Sequence, residues 1–87
     1  MTYAIYLSPR SRRALEVDIP EAVAAACIEF IFGPLAENPH RVGKSLRDGL
    51  AGFYAARRGE FRVIYTIHED RVAVRVISIR HRRDVYS

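Results

Sequence analysis

Residues 52–79 read GFYAARRGEFRVIYTIHEDRVAVRVISI, and the fold turns on how this run is punctuated. Arg58-Gly59 and Glu69-Asp70 are turn pairs, because glycine and aspartate accept the backbone angles of tight reversals. They divide the run into strands at about Leu50–Arg57, Glu60–His68 and Arg71–Ile79. In the second strand Phe61, Val63, Tyr65 and Ile67 share one face, and Arg62, Ile64 and Thr66 share the other. In the third, Val72, Val74 and Val76 alternate with Arg71, Ala73 and Arg75. The apolar face needs a cover. The other face carries arginine and stays open to solvent, which is where a site would lie.

The cover is found upstream. Thr2–Leu7 alternates as a short first strand, and Ser8-Pro9 is a helix start, with serine capping the free amides and proline tolerated in the first turn. Arg10 to about Val17 reads as a first helix. A second begins at Pro20-Glu21, with Val23, Cys27, Phe30 and Ile31 near helical spacing, and runs to about Phe32 or slightly beyond, where Gly33-Pro34 bends or ends it. Asn38–Gly49 is polar and reads mostly as an exposed loop. The expected fold is α+β: a helical hairpin on one face of a small, mainly antiparallel twisted sheet, in the order β-α-α-β-β-β. With 87 residues the chain has room for a single domain, 1–87.

Hydrophobic residues make up 49% and charged residues 28%, a globular composition. Cys27, the lone cysteine, has no partner for an internal disulfide and reads as a buried apolar residue. The N-terminus lacks the pattern of a secretory signal, and the apolar stretch Ala22–Ala36 is too short and too interrupted by Glu29 and Pro34 to span a bilayer. The chain is expected to be cytoplasmic, with no membrane partner.

Net charge is +4, unevenly spread. Residues 1–40 hold three bases against five acids, whereas residues 41–87 hold eleven bases against five. Lys44 is the only lysine. Arginine supplies planar, permanently charged forks that match phosphate, so a polyanion is the expected partner. His40, His68 and His81 lack the spacing of a zinc site, and no metal or other cofactor is expected. The terminal IRHRRDVYS places Arg80, His81, Arg82, Arg83 and Tyr86 just past a strand end. If Arg62 shares their face, guanidinium groups gather beside a histidine and a phenol. That set suits an RNA phosphodiester cleaved by its own 2′-hydroxyl, which requires a base, charge stabilisation and an acid. Arg57 and Arg58 at the hairpin turn, Arg41 and Arg47 in the loop segment, and Tyr54 are the candidate RNA contacts; Phe61 and Tyr65 read as core.

LAGFYAARRGEFRVIYTI followed by VAVRVISIRHRRDVY resembles the RelE/ParE superfamily of toxins from bacterial type II toxin–antitoxin pairs, most of all its RelE branch. The pattern R-x-G-x-[FY]-R-[VL]-x-Y at Arg57–Tyr65 and the terminal H-R-x-x-x-Y at His81, Arg82 and Tyr86 carry the resemblance, which spans the chain. It implies ribosome-dependent, metal-independent cleavage of mRNA in the A site. It also implies silencing by a RelB-like antitoxin, whose complex binds its operator DNA through the antitoxin. By the same resemblance Arg62 contacts the scissile phosphate, Arg82 stabilises the transition state, Tyr86 orients the nucleotide and His81 stands where relatives propose a general acid. Phe53 and Ala55 replace lysines that some members carry, one of them thought to be the base. Lys44 lies near the position of a loop base in other relatives; a lysine serves as base only with a lowered pKa, which neighbouring arginines favour. Two further readings stand beside the nuclease. One is a ParE-like DNA gyrase inhibitor acting by binding alone. The other is a catalytically weak toxin kept as antitoxin partner or corepressor.

Overall fold

Ser8 starts the helical layer and also ties it to the sheet. The structure, a computed structural model, describes residues 2–46 and 52–81, with His81 defined in its backbone alone. Ser8 Oγ accepts the Ser11 amide at 3.1 Å and so satisfies one free donor of the first turn. Helix α1 (Pro9–Arg13) begins there and widens into π-helical turns over Ala14–Asp18. Helix α2 (Glu21–Phe30) follows Pro20 and does not stop at Gly33-Pro34 but continues as π-helical turns to Leu35. Pro34 has no amide to offer the carbonyl four residues back, and a widened turn absorbs that loss. The continuation is held from below, because Ile31 and Leu35, four residues apart, are both fully buried.

The sheet has five strands: β1 (Ala4–Leu7), β2 (Lys44–Ser45), β3 (Phe53–Arg58), β4 (Phe61–His68) and β5 (Ala73–His81), in the order β1-β5-β4-β3-β2. β1 runs parallel to β5, and the remaining pairs are antiparallel. The expected α+β architecture is therefore present, with the helices packed on the face that holds Phe61, Val63 and Tyr65. Among the described residues no helix is long and apolar enough to cross a membrane.

Three segments depart from expectation. The loop Asn38–Gly49 contains a short helix, α3 (Pro39–Val42), and then β2; the Leu46 amide extends that pairing by bonding the Phe53 carbonyl at 2.8 Å. The polar composition concealed this because few apolar residues, buried Pro39 and partly buried Val42, anchor the segment on the core. The turn after β4 takes four residues rather than two: Val72, expected on the apolar strand face, stands at φ 50 with its amide on the Glu69 carbonyl. β5 accordingly starts at Ala73 and runs through Arg80 and His81, past the expected end at Ile79.

The third feature of β5 matters most. Tyr65 pairs with Val76 and Ile64 pairs with Ser78, so Ile77 is an extra residue, a β-bulge. The helical layer holds this irregularity in place. The Ser8 hydroxyl donates to the Ile77 carbonyl at 2.7 Å, and the buried Ser11 hydroxyl donates to the Val76 carbonyl at 3.1 Å. The extra residue reverses the alternation. Val74 and Val76 point to the core before it, Ile79 after it, and Arg80 is left on the open face.

Candidate nucleic-acid interface

The register places Arg57, Arg62 and Arg80 directly opposite one another on three adjacent strands. Such neighbours have Cβ atoms about 4.5–5.5 Å apart, close enough for long side chains to reach one anion. Like charges placed this way repel. Among the described residues the ion pairs are His40–Glu69 and Arg71–Asp70, neither of which touches the row. Arg62, in the middle, is half-buried, whereas Arg57 and Arg80 are exposed. A row of guanidinium groups on a rigid sheet is suited to holding an anion.

Lys44 joins this face. It pairs with Ala55 in β3, two residues from Arg57, so it stands one row from the arginines. A further row, two steps along β3 from Ala55, runs Tyr6, Arg75, Thr66 and Phe53. Tyr6 is 61% exposed there, an aromatic surface beside an arginine. Tyr6 and Arg75 are not among the site candidates read from the sequence, whereas Arg80 belongs to the terminal cluster expected to gather with Arg62. Tyr6 and Arg75 meet only through the parallel β1–β5 pairing, and Arg80 faces Arg62 only because of the bulge. The sequence signal that existed was the alternation of Tyr6 with Ile5 and Leu7.

Other candidates are placed elsewhere. Arg58 alternates with Arg57 and pairs with buried Phe61 at the other face of the sheet. There it lies near Cys27, whose thiol burial pushes up while Arg58 pulls it down. Tyr54 pairs with Tyr65 on the helix-covered side, stacks on it with ring centroids 5.6 Å apart, and so does not share the face of Arg62. Arg41 is exposed in α3, in the segment that leads into Lys44. His81 pairs in register with Phe61, whereas Arg80 pairs with Arg62. Arg47, Arg82 and Tyr86 lie outside the described residues.

A cluster that no sequence motif marks stands at the edge where α3 meets the turn after β4. The Tyr65 hydroxyl donates to the Pro39 carbonyl at 2.6 Å. His40 Nε2 bonds Glu69, and the Tyr54 hydroxyl lies 3.4 Å from His40 Nδ1. The Tyr3 hydroxyl donates to both Glu69 oxygens, at 3.0 and 3.1 Å. The bond from His40, then that from Tyr3, holds the Glu69 carboxyl below the usual carboxylate range. Burial pushes the Tyr65 phenol up to about 12, with the neighbouring Tyr54 adding to the effect.

Over residues 10–86 the sequence matches the family described as the ParE toxin of type II toxin–antitoxin systems, parDE. The chain belongs to this toxin family. It is 45% identical to Toxin RelE of Mycobacterium tuberculosis over 84 residues, covering 97% of this chain and 86% of that protein. Toxin RelG of the same organism is 41% identical over 86 residues, covering 99% and 98%. The toxin also superposes on a chain of the RelBE2 toxin–antitoxin complex from Mycobacterium tuberculosis with a TM-score of 0.89 and 39% identity, covering 94% and 100%. The free Escherichia coli toxin RelE mutant shares the fold, with a TM-score of 0.77 at 21% identity over 99% of this chain and 92% of that one. The resemblance to RelE/ParE toxins read from the hairpin and terminal motifs is thus established.

Proposed function

We propose that this toxin is a ribosome-dependent endonuclease that cuts mRNA in the A site without a metal ion. The observation that carries the proposal is the in-register row Arg57–Arg62–Arg80 on the open sheet face. In this reading Arg62 steadies the charge that gathers on the scissile phosphate, and its neighbours hold the flanking ones. A 2′-hydroxyl loses its proton to a base and attacks phosphorus. The bond to the 5′ oxygen breaks, and an acid protonates that oxygen, leaving a cyclic 2′,3′-phosphate and a 5′-hydroxyl. Lys44, on the same face, is the nearest described candidate for the base or for a phosphate contact. Arg82, Tyr86 and His81 take the roles that the family resemblance assigns them, and Arg47 and Arg41 extend the basic margin toward ribosomal RNA.

A RelB-like antitoxin is the proposed silencing partner, supported by the relative solved as a RelBE2 toxin–antitoxin complex. The toxin–antitoxin complex would act on its operator DNA through the antitoxin, in the cytoplasm. The test is primer extension on mRNA programmed into bacterial ribosomes, with purified toxin and EDTA, beside naked RNA. Cuts at the A-site codon only with ribosomes present are expected; an intact message in both arms overturns the proposal. A second reading, gyrase inhibition by binding, is favoured by Phe53 and Ala55, which put apolar surface on the open face where some nuclease members carry lysine. Intact message together with gyrase inhibition would establish it.

A further inference from the structure

We propose that Tyr3, His40, Tyr54, Tyr65 and Glu69 form a brace that fixes where Lys44 stands on the open face, which makes them positioning residues for the chemistry there. The inference rests on reading Lys44 as part of an RNA-cleaving site, and it concerns residues on the opposite side of the sheet from that site.

Lys44 sits in a strand of two residues, too short to hold itself in place. What precedes it is held at several points. The carbonyl of Pro39 is bonded by the fully buried Tyr65 hydroxyl. The next residue, His40, is gripped by Glu69 on one ring nitrogen and approached by the Tyr54 hydroxyl on the other. Its ring also meets Tyr3 and Tyr54 edge-on, with centroids 6.5 and 5.8 Å apart. Glu69 is itself oriented by Tyr3 through both oxygens.

Gly43 then passes so close to the sheet that a Cβ there would stand 2.2 Å from Tyr65 Oη and 3.0 Å from the Ala55 carbonyl oxygen. Ala55 is the residue Lys44 pairs with, so the approach of Gly43 and the placement of Lys44 are one geometric fact. The turn that supplies Glu69 is also unusual: Val72, a β-branched residue, stands at φ 50. Such strain of about 1–3 kcal/mol persists only where the surroundings over-determine it. Individually, the His40–Glu69 and Tyr3–Glu69 bonds are exposed and weak. Together with the buried Tyr65 bond they join the entry to β1, α3, β3, β4 and the turn after β4 at one point, upstream of a single functional lysine.

The experiment uses the full-length toxin and the variants Glu69→Ala and Glu69→Gln, the latter keeping an acceptor oxygen for Tyr3 and His40. The first readout is amide hydrogen exchange at Leu46, whose amide bonds the Phe53 carbonyl across β2–β3. Local exchange reports local opening, so E69A should speed Leu46 by about tenfold or more, E69Q should restore most of the protection, and core amides of β4 and β5 should keep theirs. The second is cleavage of ribosome-programmed mRNA, where E69A should lower kcat about tenfold at unchanged KM, and should lower it no further in a K44A background. Unchanged Leu46 exchange in E69A overturns the brace, as does the same kcat loss with and without Lys44. If K44A cleaves like the wild type, the assignment of Lys44 to the site fails, and the exchange result alone still decides whether the brace exists.

Discussion

Replacing Gly43 by alanine should damage this protein far more than its backbone suggests, and in a protein already lacking one oxygen elsewhere the same replacement should cost almost nothing more. Gly43 stands at φ −121, ψ 176, an extended conformation open to any residue, so alanine brings no backbone strain. Reduced freedom of the unfolded chain would even favour alanine by about 0.4–1 kcal/mol. The obstacle is space, since the new methyl would lie 2.2 Å from Tyr65 Oη and 3.0 Å from both Tyr65 Cζ and the Ala55 carbonyl oxygen. Tyr65 is fully buried and stacked on Tyr54, and the Ala55 oxygen belongs to a central strand, so no flexible side-chain end is available to move aside. Overpacking of this kind costs about 1–3 kcal/mol. Displacing the ring also breaks its bond to the Pro39 carbonyl, worth about 1–3 kcal/mol once the acceptor is left buried and unpaired. G43A should therefore lose about 2–4 kcal/mol net, and Y65F alone about 1–3 kcal/mol. In the double variant the atom at 2.2 Å is absent and the remaining contacts at 3.0 Å need shifts of only a few tenths of an ångström. It should be about as stable as Y65F alone, a coupling of about 2–4 kcal/mol between the two sites. Urea unfolding of the four proteins with a shared m-value measures this directly. For a domain of this size each kcal/mol is also about 4–8 °C in Tm. A double variant as unstable as the summed singles, or a G43A protein of wild-type stability, would refute the reasoning.

The remaining predictions concern the arginine row, the buried phenol and the thiol. R62A should lower cleavage of ribosome-bound mRNA by about 10²–10³-fold, as expected for loss of a preorganised charge stabiliser, while circular dichroism stays unchanged. R80A should instead weaken RNA binding and reduce the slope of log K against log salt by about 0.7, the signature of one lost single-strand phosphate contact; an unchanged slope would remove Arg80 from the interface. Because folding raises the Tyr65 phenol from 10.0 to about 12, its contribution to stability is fully present below pH 10 and is lost as pH rises through about 12. Alkaline unfolding followed by tyrosinate absorbance should show that loss in the wild type and lack it in Y65F. Cys27 is 1% exposed, with its thiol pushed up by burial, so native alkylation should proceed only as fast as the protein opens and should accelerate with urea.

What the sequence could reveal depended on how local the governing interactions are. Ser8 caps its own helix three residues on, and the hairpin turn at Arg58-Gly59 is decided by a glycine at φ 59, so these features are legible from neighbours. Lys44 and Arg62 were singled out as site residues, and the register does place them on one face, because strict alternation in β3 and β4 carries the pattern across. Tyr54 and Arg58 are expected from the sequence to contact RNA, and alternation in β3 sends them to the face opposite Arg62. The α3–β2 segment was hidden for a different reason. Its structure is imposed by Tyr65, 26 residues away, acting on a backbone carbonyl that has no residue-type signature.

The bulge at Ile77 is the sharpest case, because it both escapes sequence reading and decides the site. Counting by twos from Val74 and Val76 puts Ser78 and Arg80 in the core and Ile79 outside, an arrangement that would bury a guanidinium and expose an isoleucine. The apolar residues therefore demand a phase change somewhere between Val76 and Ile79, but they do not say at which residue. The structure shows what fixes it: the carbonyls of Val76 and Ile77 are taken by the hydroxyls of Ser11 and Ser8. Ser8, which reads as a helix cap, and Ser11 thus select the register of a strand some 65 residues away. Their effect reaches the open face, because the same phase change brings Arg80 opposite Arg62 and completes the row. Replacing Ser8 and Ser11 together by alanine would leave both carbonyls without these donors in a buried layer, which favours sliding the bulge. The expected outcome is loss of the Arg80 contribution to RNA binding with β1 and β4 still paired to β5, read as an R80A substitution that no longer changes the salt slope in the double-alanine background. A full salt-slope effect of R80A in that background would show that the bulge is set by the strands themselves.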